Sequence, residues 1–216
     1  MAFELDHVFL LTDAGAPVAD ALVAFGFREG LPNRHPGQGT ECRRFSFINA
    51  MIEFVWVCDP LEAQSERTRR TLLWERWYAR QRGASPIGLC FRPGAPEQGK
   101  PFRHVWEYRP DYLPSPLAFQ IGETDLKEPM WVYLDFLQRS HREENFVEHP
   151  NGARAVTKIT VTSPVAVASP LFEPEIIDQI VNLREGNETL LEVWFDNAAQ
   201  HRTLDLRPDA PLVLHL

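Results

Sequence analysis

Nothing in the sequence is apolar for long enough to cross a bilayer: no run approaches the ~20 residues that a spanning helix needs. The opening stretch, Met1 to Leu11, carries Glu4 and Asp6 and lacks a basic cluster, so no signal peptide is expected. Positive charge is also scarce. With 22 Lys and Arg against 30 Asp and Glu, the net charge is −8, and a phosphate backbone or an anionic membrane is repelled on average. Nucleic acid and membrane are thereby set aside as partners; a small molecule is expected, in a cytoplasmic protein. Cysteine is sparse too. Cys42, Cys58 and Cys90 are odd in number and offer neither a C-x-x-C pair nor zinc-finger spacing. Cys58 and Cys90 lie in apolar runs and read as small core side chains.

Long helices are disfavoured by 18 prolines, which point to short elements and many turns. What is present is strand-like. Phe3 to Leu11 reads as a strand, and Val18 to Phe25 as a helix stopped by Gly26. A short strand is placed near Phe27 to Gly30, a turn-rich loop at Leu31 to Thr40, and a hairpin at Arg43 to Ile48 and Met51 to Cys58, turning at Asn49-Ala50. Together these make a βαβββ unit over residues 1–60.

Leu61 to Arg82 reads as one amphipathic helix within a connecting segment, 61–84, burying Leu72, Leu73, Trp77 and Tyr78. Its arginines, interleaved with Glu62, Glu66 and Glu75, read as a solvated face. A second module over 85–150 has strands at Ile87 to Arg92, Arg103 to Tyr108, Ala118 to Ile121 and Met130 to Phe136. The segment PGAPEQGKP leaves its helix degenerate. A strand-rich module over 151–216 begins with Ala155 to Thr162, followed by a short helix at Glu173 to Ile180. Faint internal echoes, Met51–Trp56 with Leu190–Phe195 and His35-Pro36-Gly37 with His149-Pro150-Asn151-Gly152, favour duplicated modules. The fold class expected is α+β, with repeated βαβββ modules in cupped mixed sheets.

His7 and Glu53 are the most informative residues. Alternation puts Leu5, His7, Phe9 and Leu11 on one strand face, and Met51, Glu53, Val55 and Val57 on another. Each row holds one ionisable group, and a buried carboxylate must find a partner, a proton or a metal. The pair reads either as hydrogen-bonded partners at the edge of a core or as co-ligands. His35, in its glycine-rich loop, reads either as a group facing substrate or as a turn residue capping backbone. Trp106 with Tyr108, and Trp131 with Tyr133, share strand faces beside Arg92 and Arg103; an Arg among aromatics suits a carboxylate clamp, although such pairs mostly pack cores and rims.

The run LDHVFLL, the loop RHPGQGT and the strand MIEFVWV together resemble the glyoxalase-like families of the vicinal oxygen chelate superfamily. Arg34, His35, Pro36, Gly37, Gly39 and Thr40 match the loop, and His7 and Glu53 match the strand positions. The likeness is firm over residues 3–59 and looser over 85–163, through GLCFR, WEYRP and HPNGA. It implies a divalent metal on a concave sheet face, held by His7 and Glu53, with Glu192 as a further carboxylate and His104 as another nearby candidate. A His/His/carboxylate set would suit iron; a mixed His/Glu set would suit zinc, nickel or manganese. One departure stands out. The matching positions of the later modules are near Gly88 and at Lys158, which do not supply the missing ligands.

The expected function is therefore a metal-dependent enzyme of lyase, isomerase or dioxygenase type, acting on a small oxygenated metabolite. Its catalytic groups would be His35 and Glu53, and its substrate contacts His35, Arg92, Trp106 and Tyr108. The alternative is a non-catalytic protein that sequesters a small molecule in the same groove. A homodimer is expected, because resembling proteins often pair modules across subunits.

Overall fold

The computed structural model describes residues 3–94, 102, 104–138, 145–165 and 180–216. It is an α+β structure of two mixed sheets. The first half of the larger sheet runs β1 (Phe3–Leu11), α1 (Val18–Ala24), β2 (Asn33–His35), β3 (Thr40–Ser46) and β4 (Met51–Val57). The second half has β5 (Ile87–Pro93), β6 (Val105–Tyr108), β7 (Phe119–Gly122) and β8 (Met130–Tyr133). The eight strands lie in the order β2-β3-β4-β1-β5-β8-β7-β6. In each half the first strand pairs parallel with the last, β1 with β4 and β5 with β8, and the halves join through the antiparallel pair β1–β5.

The smaller sheet contains β9 (Val156–Ser163), β10 (Val181–Glu185), β11 (Leu190–Phe195), β12 (Thr203–Asp205) and β13 (Leu212–His215), ordered β10-β9-β11-β13-β12. Its centre repeats the larger sheet's plan. Antiparallel β9 and β11 correspond to β1 and β5, and each has a parallel outer neighbour.

One apolar core fills the space between the sheets. Leu5, Val8 and Leu10 of β1, with Ile52 and Phe54 of β4, meet Ile159, Val161, Leu191, Val193 and Leu212 of the smaller sheet, while Ala19 and Leu22 of α1 close one side. The opposite face of the larger sheet carries its own apolar cluster. Two covered faces explain why all seven residues of β4 are buried and why its sequence reads as a continuous apolar run.

Two expected elements differ. The short strand forms at Asn33–His35, inside the segment expected to be loop, because the chain there turns back at 36–39 and hydrogen-bonds to β3. The single helix over 61–82 is broken into α2 (Pro60–Ala63), a 3-10 turn at Arg69–Thr71, α3 (Leu73–Ala79) and a second 3-10 turn at Arg80–Arg82. Asp59 caps α2 by accepting from the Leu61 and Glu62 amides, and Leu72 at φ 57° bends the chain before α3. Tyr78, expected in the buried stripe, is 56% exposed. Nor are the arginines uniformly solvated: Arg76 is buried and donates to the Leu126, Glu128 and Asp125 carbonyls, pinning α3 to the β7–β8 connection. The degenerate-helix segment, Arg103 and most of the Glu173–Ile180 helix lie outside the described residues. No helix among the described residues is long and apolar enough to cross a membrane.

Candidate functional site

The face of the larger sheet turned away from the smaller one is lined by Phe9, Val55, Cys90, Tyr108, Ile121 and Val132, and a cavity of about 250 Å³ opens over it. Thr71 and Leu73 close it on one side, and Leu113, Phe136 and Leu137 on another. Two ionisable side chains enter this apolar space from neighbouring parallel strands. β1 and β4 pair with His7 opposite Met51 and Phe9 opposite Glu53, which places His7 and Glu53 diagonally on one face. His7 Nε2 stands 3.9 Å from Glu53 Oε2, and both residues line the cavity. The expected imidazole and carboxylate share one hollow.

Behind His7 lies a buried charge chain. The Asp6 Oδ2 accepts from His7 Nδ1 at 2.7 Å, and Asp6 Oδ1 accepts from Arg92 Nη1 at 2.8 Å. Arg92 also reaches Glu4 Oε2 at 3.2 Å and the Asn49 carbonyl at 3.0 Å. Strict alternation would send Asp6 and His7 to opposite faces. The β1–β5 register shifts between Leu5 and His7, leaving Asp6 as the extra residue of a bulge. A bulge bends the strand and re-aims a side chain, and here it lets two successive residues bond to each other.

This setting controls charge. Desolvation by burial opposes a charged His7, but Cys90 against the ring, the Asp6 hydrogen bond and the Glu53 charge outweigh it and push the imidazole's pKa well above its usual value. Burial pushes the Cys90 thiol up as well, against the pull of the His7 ring beside it. His35 is shifted the other way. Burial lowers it, assisted by Arg44 and His7, against the pull of Glu53.

His35 lines the cavity with both ring nitrogens engaged: Nδ1 lies 2.9 Å from Thr40 Oγ1 and Nε2 lies 3.2 Å from Asn33 Nδ2. A neutral ring donating to Thr40 and accepting from Asn33 satisfies both contacts. His35 is therefore a fixed wall of the cavity, with no ring nitrogen directed at a ligand. The loop that carries it is built by close approach. Gly39 has φ +71°, and its carbonyl accepts from the Cys58 and Asp59 amides. A Cβ there would stand 2.2 Å from the Asp59 carbonyl oxygen. The RHPGQGT motif thus packs the β2–β3 turn against the start of α2, and the Gly37 amide donates to Glu62.

Other expected site residues lie elsewhere. Tyr108 lines the cavity; Trp106 does not, and instead lies under the Arg70 guanidinium at 4.6 Å. Arg92, expected to clamp a substrate, is 1% exposed and clamps the protein's own Asp6 and Glu4. His104 is exposed just before β6. Glu192 is on the smaller sheet, ion-paired with Arg184 at 2.5 Å and 3.5 Å from His215. Its resemblance to Glu53 is one of sequence only. β11 occupies the place of β5 in its sheet, whereas β10 takes that of β4. Lys158 lies over the Trp194 ring, also on the smaller sheet. Of the other echo, His149 is buried, accepting from the Arg28 amide and hydrogen-bonded to the Ser46 carbonyl, which makes it a joint of the core. Cys58, expected in the core, is exposed at the end of β4.

The implied metal can be tested against these donors. His7 and Glu53 provide two. In the second half, Gly88 offers no side chain, and the space above it is taken by the Phe9 ring, 2.0 Å from where a Cβ would stand. Met130 and Val132 of β8 are apolar, and Cys90 is buried. Among the described residues no group of three His, Cys, Asp or Glu side chains converges to hold an ion. Catalytic zinc sites take three protein ligands. The described donors do not fit the zinc, nickel, manganese or iron centre that the resemblance implies.

The sequence reading did not single out Asp6, Arg44, Gln38 or Tyr112. Arg44 lines the cavity and pairs across β3–β4 with Glu53, which a hairpin register would have revealed. Tyr112 Oη donates to Gln38 Oε1, and Gln38 Nε2 donates to Thr40, a network with no local sequence signature.

No protein-family model matches the sequence, and no curated protein matches it. Among solved structures, the chain is similar to a hypothetical protein from Staphylococcus aureus, with a TM-score of 0.54 over 99% of each chain at 11% identity. At that identity the likeness shows the fold alone.

Proposed function

We propose that this chain is a glyoxalase-like protein that binds a small oxygenated organic molecule in the cavity, with its oxygen facing His7 and Glu53. The observation that carries this reading is an imidazole–carboxylate pair in a largely apolar hollow, oriented from behind by Asp6 and Arg92. Ligand sites commonly combine an apolar lining with a few placed polar groups. The paired arrangement of the two halves supports the family reading, as do the residues of the LDH, RHPGQGT and MIEF segments. An imidazolium can donate a proton to a carbonyl oxygen while the carboxylate beside it accepts one from a neighbouring carbon or hydroxyl, which suits isomerase or lyase chemistry.

Sequestration without turnover is favoured by a different observation, the lack of a three-donor metal set among the described residues. One experiment separates the readings. Purified protein is screened by thermal shift against small ketones, aldehydes and carboxylic acids, and elemental analysis is run in parallel. A saturable rise in Tm, weakened at least tenfold in concentration dependence by His7→Gln and Glu53→Gln, supports the site. Mass spectrometry of the recovered ligand then distinguishes an enzyme, which alters it, from a carrier, which returns it unchanged. Equal binding by both variants would refute the assignment.

A further inference from the structure

The side chains that line the cavity divide by origin. Every charged, imidazole or amide group on its wall comes from the first half of the larger sheet: His7, Asn33, His35, Gln38, Arg44 and Glu53. The second half supplies hydrocarbon, chiefly Phe119, Ile121, Met130, Val132, Leu134 and Leu137. Its polar atoms are committed or sealed, since Tyr112 donates to Gln38 and the Tyr108 hydroxyl and Cys90 are buried. The hollow therefore has a polar end and an apolar end, and a ligand matched to it is amphiphilic.

Arg44 identifies the group at the polar end. The other cations of the site are already paired, Arg92 with Asp6 and Glu4, and His7 with Asp6. Arg44 spends only its Nε, donating to the Leu31 carbonyl at 2.7 Å. Its Nη1 and Nη2 have no acceptor among the described residues, and both keep accessible surface on a half-buried side chain. Glu53 stands across the β3–β4 pair from Arg44, but its carboxylate is turned to His7 Nε2 at 3.9 Å. The positive charges of Arg44 and His7 both act on the His35 ring, so the two cations approach one part of the wall. A guanidinium with two free donors matches the two oxygens of a carboxylate.

Size and lining describe the rest of the ligand. An apolar cavity of about 150 Å³ is enough for benzene, so one of this kind near 250 Å³ takes on the order of ten non-hydrogen atoms. At the apolar end no free donor or acceptor meets a second polar function, and burying one there without a partner is unfavourable.

Resting on the function proposed above, we infer that the ligand is an aliphatic monocarboxylate of about eight carbons. Its carboxylate lies between Arg44 and His7, and its unfunctionalised chain packs on the side chains of the second half.

The test uses the intact chain and isothermal titration at pH 7 with octanoate, octanamide, 8-hydroxyoctanoate and acetophenone. Octanoate should bind the wild type at least about tenfold more tightly than octanamide, as expected for charge-assisted hydrogen bonds. In Arg44→Gln the two should bind alike, with octanamide as in the wild type. The terminal hydroxyl of 8-hydroxyoctanoate should weaken binding about tenfold. The inference is overturned if octanoate has no advantage over octanamide, if the advantage survives in Arg44→Gln, or if 8-hydroxyoctanoate binds as tightly as octanoate. Acetophenone, being neutral, reports on the parent reading. Its binding should be indifferent to Arg44→Gln and weaker in Glu53→Gln. If Glu53→Gln leaves it unchanged, the assignment of the His7–Glu53 end fails whatever Arg44 does.

Discussion

Asp6 and His7 are adjacent in the chain, and their bond to each other determines how the imidazole is presented. With Oδ2 on His7 Nδ1 and Oδ1 on Arg92, Asp6 fixes both the ring orientation and the location of its proton, leaving Nε2 toward Glu53. Replacing Asp6 by Asn removes the charge and keeps the shape. The His7 pKa, followed by NMR titration of the ring, should then fall, because burial is no longer offset by that carboxylate. Stability should drop by on the order of 3 kcal/mol, as expected when one partner of a buried ion pair is neutralised, measured by urea unfolding. The raised His7 pKa also has a sign in stability. The folded state holds the proton more tightly than the unfolded chain, so this contribution is complete below about pH 6.5 and is lost as pH rises through the folded value. Unfolding free energies of wild type should therefore decline, as pH rises above about 6.5, more steeply than those of His7→Gln.

Elements explain which parts of the site were readable in advance. β1 and β4 announce themselves through alternating rows of apolar residues that each include one ionisable group, and parallel neighbours with matching faces bring those groups together. The bulge at Asp6 breaks the alternation on which such reading depends, so the residue that orients His7 was hidden although it stands beside it. The helix over 61–82 failed for a related reason. Its periodicity is genuine in pieces, but the cap at Asp59 and the left-handed Leu72 divide it, and Arg76 is drawn inward by loop carbonyls far along the chain. The RHPGQGT loop was recognisable as a motif, while its role depends on what Gly39 touches. Gly39→Ala would place a Cβ against the Asp59 carbonyl at a positive φ. That change should cost about 2–3 kcal/mol or more, seen as a lower urea midpoint, and should loosen His35.

For the molecule as a whole, the division into two sheets was less legible than the strands themselves. β9 and β11 look like β1 and β4 in sequence, yet their pairing is that of β1 and β5, and only long-range partners reveal this. That difference moves Glu192 from an expected ligand to an ion pair on another sheet. The shared core also predicts mutual dependence. Phe27 and Phe47 pack on Phe195, and much of the inner face of the larger sheet is covered by β9, β11 and β13. A chain ending at residue 150 should lack a cooperative thermal transition by circular dichroism and should aggregate, because the uncovered apolar face exceeds what a soluble monomer tolerates. A sharp transition near that of the full chain would show the larger sheet to be self-sufficient.

The most direct measurement follows the His7 ring by long-range proton–nitrogen NMR while acetophenone is titrated into the intact protein. The Nε2 signal should move saturably, and Glu53→Gln should weaken the response in step with affinity. If the ketone binds and the His7 nitrogens stay where they were, the ligand sits elsewhere and the site described here is not where this protein acts.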